Sequence, residues 1–238
     1  MARKDGREKD QLRSISFKPD FVDYPEGSVL ISVGRTRVLC NVSIENKVPT
    51  WMDQDDSTRG WITAEYALLP RSTTTRVQRE TKGLSGRTQE IKRLIGRSLR
   101  AGFDLNLLGK RTLIVDCDVL QADGGTRTAS ITGGYVALSL AIKDLVKGGE
   151  LSQDVFLSPV AAISVGLIDG EPVLDLDYDE DKDAEADLNI VMNQAGDFIE
   201  VQGTGEGATF SRGDLEDMLD LAETGIQKLI TFQSEILN

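Results

Sequence analysis

The chain of 238 residues contains no histidine. That excludes Ser-His-Asp and Cys-His nucleophilic chemistry and every His-ligated metal. Acid–base work must then fall to Asp, Glu, Lys, Tyr or water. There are two cysteines, Cys40 and Cys117, far apart and each inside an apolar, strand-like run. They have neither zinc-ligand spacing nor a second pair to build a framework, so both are expected as reduced core residues. No apolar run approaches the roughly 20 residues that span a bilayer. The opening MARKDGREKDQ has no apolar stretch of signal type, so a cytoplasmic location is expected. GxxxxGK[ST] is missing, which argues against a P-loop hydrolase. No GxGxxG follows a strand, which argues against a dinucleotide site.

What is present is an ordinary soluble composition, 39% hydrophobic and 28% charged, with an uneven charge. Residues 1–127 hold 22 Lys+Arg against 17 Asp+Glu, a balance of +5. Residues 128–238 hold 5 against 22, a balance of −17, giving the net −12. One half can face a polyanion while the other gathers cations. Acids on outer faces for solubility would give the same numbers.

Periodicity divides the chain into strands and helices. Residues 28–44 read as two strands joined around Gly34-Arg35-Thr36. Residues 62–69 and 112–120 are further strands. In 86–103, Ile91, Leu94, Ile95 and Leu99 form one helical stripe, with Ser85 as N-cap. A second helix, rich in small residues, starts near Thr128. Residues 160–165 and 173–177 read as strands around Asp169-Gly170, and 188–192 and 198–202 as another pair. A long amphipathic helix covers 211–236. Strands followed by helix occur twice, which hints at an internal duplication in an α+β fold. The expectation is one domain, 1–238, with a basic sub-half at 12–147 and an acidic one at 150–238. The basic segment 1–14 reads as an arm that pairs with something else or as a solvated tail.

Two stretches carry the chemistry. In DCDVLQADGGTRTASITGG, Gly124 and Gly125 break the strand just before a helix. A helix start exposes N–H groups without partners, and the dipole adds positive charge there, so an anion fits. Arg127 in that first turn is opposed to the dipole unless an anion sits beside it. Arg87 stands in the same position on the preceding helix, and the two would make one anion clamp if the helices pack side by side. The alternative is a glycine turn with a solvated arginine. The second stretch, DLDYDEDKDAEAD, packs six Asp and two Glu into 13 residues. Either it is a solvated acidic loop or it holds a cation. Asp187 directly precedes an apolar strand, where a carboxylate is held rigidly. Between these, Arg71, Arg76 and Arg79 alternate with Ser and Thr, which suits sugar–phosphate contacts or a plain solvent loop.

Taken together, DGREKDQLR, GWITAEYALLPRSTTTR, GRTQEIKRLIGRSLRAGFD, DCDVLQADGGTRTASITGG, LDLDYDEDKDAEADLNIVM and EVQGTGEGATFSR span nearly the whole chain. They resemble the ribonuclease PH family, bacterial phosphorolytic 3′→5′ exoribonucleases, and more distantly polynucleotide phosphorylase and the exosome ring. The pairing of GRTQEIKRLIGR with QADGGTRTA makes the resemblance specific.

The resemblance implies a duplicated fold like the second domain of ribosomal protein S5. It implies inorganic phosphate on Arg87, Gly125, Thr126 and Arg127, and catalytic, Mg²⁺-holding carboxylates at Asp181 and Asp187, with Asp179 and Asp183 as alternatives for the first. It implies a nucleotidyltransferase that trims tRNA precursor 3′ ends, runs in reverse to add nucleotides, and assembles as a hexameric ring, a trimer of dimers. The loop RSTTTR stands where some relatives carry a histidine. The rival readings are a non-catalytic RNA-binding ring subunit and a hydrolytic metal-dependent nuclease. The first usually loses the arginine or aspartate positions, and this chain keeps both.

Overall fold

The hairpin predicted at 28–44 is present in the computed structural model, which describes residues 3–52, 58–206 and 208–238. β2 (Gly27–Val33) and β3 (Thr36–Glu45) turn at Gly34, whose φ of 56° suits glycine. An edge strand, β1 (Ile15–Pro19), pairs antiparallel with β2. Its short sequence, ISFKP, buries one residue, Phe17, and gives too little alternation to predict.

β4 (Trp61–Leu68), α1 (Gly86–Arg100) and β5 (Thr112–Gln121) form a parallel crossover unit. β5 also pairs antiparallel with β3, so the first sheet runs β1-β2-β3-β5-β4. Ser85 caps α1 as expected, accepting from Thr88 N. Ile91, Leu94, Ile95 and Leu99 are buried, and each such side chain contributes about 1.5–3 kcal/mol over an exposed one. α2 (Thr126–Lys147) follows. The second sheet, β7-β6-β8-β9, is wholly antiparallel. It is built from β6 (Val160–Ile168), β7 (Glu171–Leu174), β8 (Ala186–Asn193) and β9 (Phe198–Gly205). A short α3 (Tyr178–Asp183) lies between β7 and β8, and α4 (Arg212–Leu237) closes the chain.

The layers run sheet, helix pair, sheet, helix. Val160 and Ala162 of β6 belong to the core around α2, while Ala161, Ile163, Val165 and Leu167 belong to the core under α4. β6 therefore has apolar contacts on both faces, and its run VAAISVGLI reads as continuous rather than alternating. α2 can lie against the first sheet because Gly133 offers no side chain: a Cβ there would stand 2.6 Å from Ile31 Cγ2.

Three sequence expectations change in the folded chain, and the one for the cysteines holds. Eighteen consecutive residues of α2 are apolar enough to span a membrane, contrary to the reading above. Yet 72% of that window is buried inside the protein, because this helix serves two sheets. The duplication is looser than two copies, since β8 and β9 form a hairpin where β4 and β5 have a crossover helix. Cys40 and Cys117, distant in sequence, are register partners across β3 and β5, both free and buried. Finally, the basic arm is no solvated tail. From Arg3 on it folds back onto the acidic half, with Arg3 Nη2 2.6 Å from Glu180 and Arg13 Nη2 2.7 Å from Asp175, all four side chains buried.

Candidate active site

Between β5 and α2 the chain turns through Gly124 and Gly125, at φ 75° and 63°. A Cβ on Gly124 would meet Leu176 O and Asp177 C at 2.6 Å. Only glycine lets this loop lie directly on the acidic segment, and the two chemistry-bearing stretches become neighbours for that reason. α1 and α4 have serine side-chain caps, but α2 begins at Gly125 without one and has no acid in its first turn. Its first N–H groups have no helical acceptor by construction. Together with the dipole they make an open anion seat.

The structure brings Arg87, Gly125, Thr126, Arg127, Asp181 and Asp187 to the lining of one cleft of ≈ 1410 Å³. Arg87 is exposed and has no hydrogen bond or ion pair among the described residues. Arg127 is more constrained: Nη1 donates to Gln202 Oε1 at 2.8 Å and lies 3.5 Å from Glu90 Oε1. Gln202 Nε2 in turn donates to Glu90 at 3.1 Å. A strand of the second sheet thus joins α1 and α2 through one small network, and Arg127 stays aimed at the cleft. The Tyr66 hydroxyl and Thr126 Oγ1 share a hydrogen bond of 2.8 Å at the foot of α2. Burial pushes that phenol up, although Thr126 and the two arginines pull the other way.

The acidic stretch divides into two uses. Asp177 and Glu180 form the capping box of α3, Asp175 and Glu180 hold the arm, and these carboxylates are consumed by the fold. Asp181, on the first turn of α3, and Asp187, near the start of β8, face the cleft, as does Asp179, whose Oδ2 lies 3.4 Å from Lys4 Nζ. Burial, and then the charge of Asp187, raise the Asp181 carboxyl above the usual range. Burial and the charge of Glu206 do the same to Asp187, with Arg127 opposing in both cases. The pair therefore carries negative charge that the protein leaves only partly compensated. Among the described residues no group of three or more carboxylates, cysteines or histidines is close enough to hold a metal alone. Two hard oxygen donors beside an anion seat fit an ion such as Mg²⁺, which takes one or two carboxylates and completes its shell with phosphate and water.

Arg71 and the hydroxyls of 72–75 line the same cleft, whereas Arg76 and Arg79 do not. Arg79 lies near Asp118, whose raised carboxyl it pulls back down against burial. Sequence reading overlooked Glu90, Gln202, Tyr66 and Glu206. Glu90 lies inside GRTQEI and both Gln202 and Glu206 inside EVQGTGEG, so motif membership was the available signal. Tyr66 lies inside GWITAEYALLPRSTTTR, but its alternation with other apolar positions in β4 reads as plain core.

Two family models match in order. The first domain of the 3′ exoribonuclease family covers residues 11–143 and the second covers 158–225. A ribonuclease PH of Bacillus subtilis is 56% identical over 99% of this chain and 96% of its own length. One from Syntrophomonas wolfei is 56% identical over 100% and 99%. Among solved structures, rice Rrp46 is 20% identical, superposing with a TM-score of 0.80 over 99% of this chain and all of its own. The RNA-bound exosome of Archaeoglobus fulgidus gives 0.81 at 22% identity, over 95% of this chain and 91% of the other. At those identities the superpositions show a common fold. With both family domains matched and more than half of the residues shared along the whole length, the chain belongs to the 3′ exoribonuclease family, in its ribonuclease PH branch.

Proposed function

We propose that this cleft shortens RNA from its 3′ end by phosphorolysis, with tRNA precursor ends as substrate. Inorganic phosphate sits on Arg87, Arg127 and the amides at Gly125 and Thr126. One of its oxygens attacks the phosphorus of the last linkage, the P–O3′ bond breaks, and O3′ takes a proton. The products are a nucleoside 5′-diphosphate and RNA one nucleotide shorter. The reverse reaction adds a nucleotide.

The physical difficulty is bringing two anions together. Unit charges about 4 Å apart repel by about 4 kcal/mol at an effective dielectric near 20. Two guanidinium groups and an uncapped helix start offset that, so the protein contributes mainly position and charge. Asp181 and Asp187 would hold Mg²⁺, which supplies positive charge beside the phosphoryl oxygens. A carboxyl held above its usual range can also keep a proton for O3′, and either role needs the pair intact. Arg71 with its neighbouring hydroxyls guides the strand by backbone contacts, and Arg76 and Arg79 receive RNA outside the cleft. The observation that carries this reading is the meeting of the open α2 start and Arg127 with Asp181 and Asp187 in one cleft.

Short RNA incubated with and without phosphate tests it. Nucleoside diphosphates are expected only when phosphate is present. Monophosphates formed without phosphate would mean hydrolysis, and no turnover in either case would mean a non-catalytic subunit. Arg127→Ala is expected to lower phosphorolysis at least about a hundredfold while leaving the oligomer unchanged by light scattering.

The ring assembly also belongs to this reading, as a hexameric trimer of dimers in the cytoplasm. Trp51, Phe198 and Val201 are 60%, 51% and 47% exposed, which suits surfaces covered by neighbouring subunits. Residues 1–238 act as one domain, with sub-halves 12–147 and 150–238 each supplying one side of the cleft.

A further inference from the structure

The anion seat depends on a loop that has little to hold it. Two consecutive left-handed glycines lose more conformational freedom on folding than any other pair, and no side chain caps the helix they lead into. The restraint comes from behind. Thr36, the fully buried first residue of β3, donates its hydroxyl to the Gly124 carbonyl at 2.7 Å and accepts from Asp123 N at 3.0 Å. Arg13 Nη1 donates to the Asp123 carbonyl at 2.6 Å. A peptide unit is planar and trans, so its C=O and N–H point in opposite directions. Tying back the carbonyls of Asp123 and Gly124 therefore fixes where the N–H groups of Gly124 and Gly125 point.

Arg13 is itself clamped. Asp175 accepts from its Nη2 at 2.7 Å, its Nε at 3.1 Å and its backbone N at 2.8 Å. Burial opposes its charge, but Asp175 more than restores it. Asp175 lies two residues before the cap of α3, the helix that carries Asp181. One guanidinium thus ties the glycine loop to the segment that sets the carboxylate side.

We infer that Thr36 and Arg13 are positioning residues of the phosphate subsite, pre-setting the loop so that phosphate need not order it on binding. The inference rests on the phosphate reading of Gly125, Thr126 and Arg127. Neither residue takes part in the chemistry. Pre-ordering raises affinity by removing an entropic cost from binding, so the effect belongs in phosphate affinity rather than in turnover. A merely structural pair provides the comparison: Arg3 of the arm is likewise buried and pairs with Glu180 of the same acidic segment, but has no bond to the loop.

The test compares Thr36→Val, Arg13→Lys and Arg3→Gln with the unmodified full-length chain. Steady-state rates are measured over a phosphate series at saturating RNA, and thermal melts with and without inorganic phosphate. Thr36→Val keeps the shape and loses both loop bonds. Arg13→Lys keeps the charge and loses the fork that spans Asp123 and Asp175. Each is expected to raise the phosphate KM about tenfold with kcat within about threefold and the RNA KM unchanged, and to shrink the Tm rise given by phosphate. Arg3→Gln is expected to lower Tm with the phosphate KM within about twofold. Phosphate KM values within about twofold in Thr36→Val and Arg13→Lys, beside a Tm loss like that of Arg3→Gln, would overturn the inference. If Arg13→Lys does not fold, Thr36→Val decides alone. An unmodified chain indifferent to phosphate would instead bring down the phosphorolytic reading, and this inference with it.

Discussion

Asp181 and Asp187 work against the fold that holds them. Both are pushed toward the protonated form, by burial first and then by Asp187 and Glu206 respectively. An acid whose folded pKa lies above its unfolded value binds its proton more tightly when folded. Its ionisation therefore costs stability as pH rises through the folded value. Near neutrality the chain bears that cost, and at about pH 3, below the usual carboxylate range, it vanishes. Asp187→Asn is accordingly expected to abolish turnover yet raise Tm by about 2 °C at neutral pH without metal, with no gain in acid. Melting curves at the two pH values check it, and a lower Tm at neutrality would contradict the charge argument.

At the level of elements, the arm matters most. Burial pushes the Glu180 carboxyl up, but the Arg3 hydrogen bond, the Asp177 N–H and the charges of Arg3 and Arg7 outweigh it and hold it below the usual range. That stability is present above the unfolded carboxylate pKa and is lost as pH falls through the folded one. Removing Arg3 takes two charge-assisted hydrogen bonds from a buried carboxylate and leaves it only Arg7, at 3.3 Å, as a cationic partner, which costs about 1.5–3 kcal/mol. Arg3→Gln should show that loss in urea melts at pH near 7 and much less of it at about pH 3, where Glu180 is protonated. An equal loss at both would mean that packing, not the ion pair, is what Arg3 supplies. The charge of the arm was legible along the chain but its partner was not, because an ion pair across more than 170 positions leaves no local pattern.

For the whole molecule, α2 is the shared wall. It packs on β2 and β3 of one sheet and on β6 of the other, and the arm crosses from the first half to the second. Calorimetry is therefore expected to show one unfolding transition, with residues 150–238 alone failing to fold. Two separated transitions would mean that the halves are independent domains. The charge asymmetry fits this arrangement: the positive half contributes the anion seat and the arm, and the negative half contributes the carboxylates that receive the arm and those that face the cleft.

The sequence alone determined what depends on neighbours in the chain. Helical stripes such as Ile91, Leu94, Ile95 and Leu99, the glycine turn before α2, the caps at Ser85 and Ser211, and the charge of each stretch are all local, as are the motifs that carry the family. Tertiary structure decided what depends on distance. Of eight neighbouring acids, it spent Asp175, Asp177 and Glu180 on the fold and left Asp181 and Asp187 facing the cleft. It also set Cys40 opposite Cys117 and brought Gln202 to Arg127. The reason is physical: the chain records each group's chemistry, while only burial and the approach of remote elements fix which charges are paired and which remain free to act.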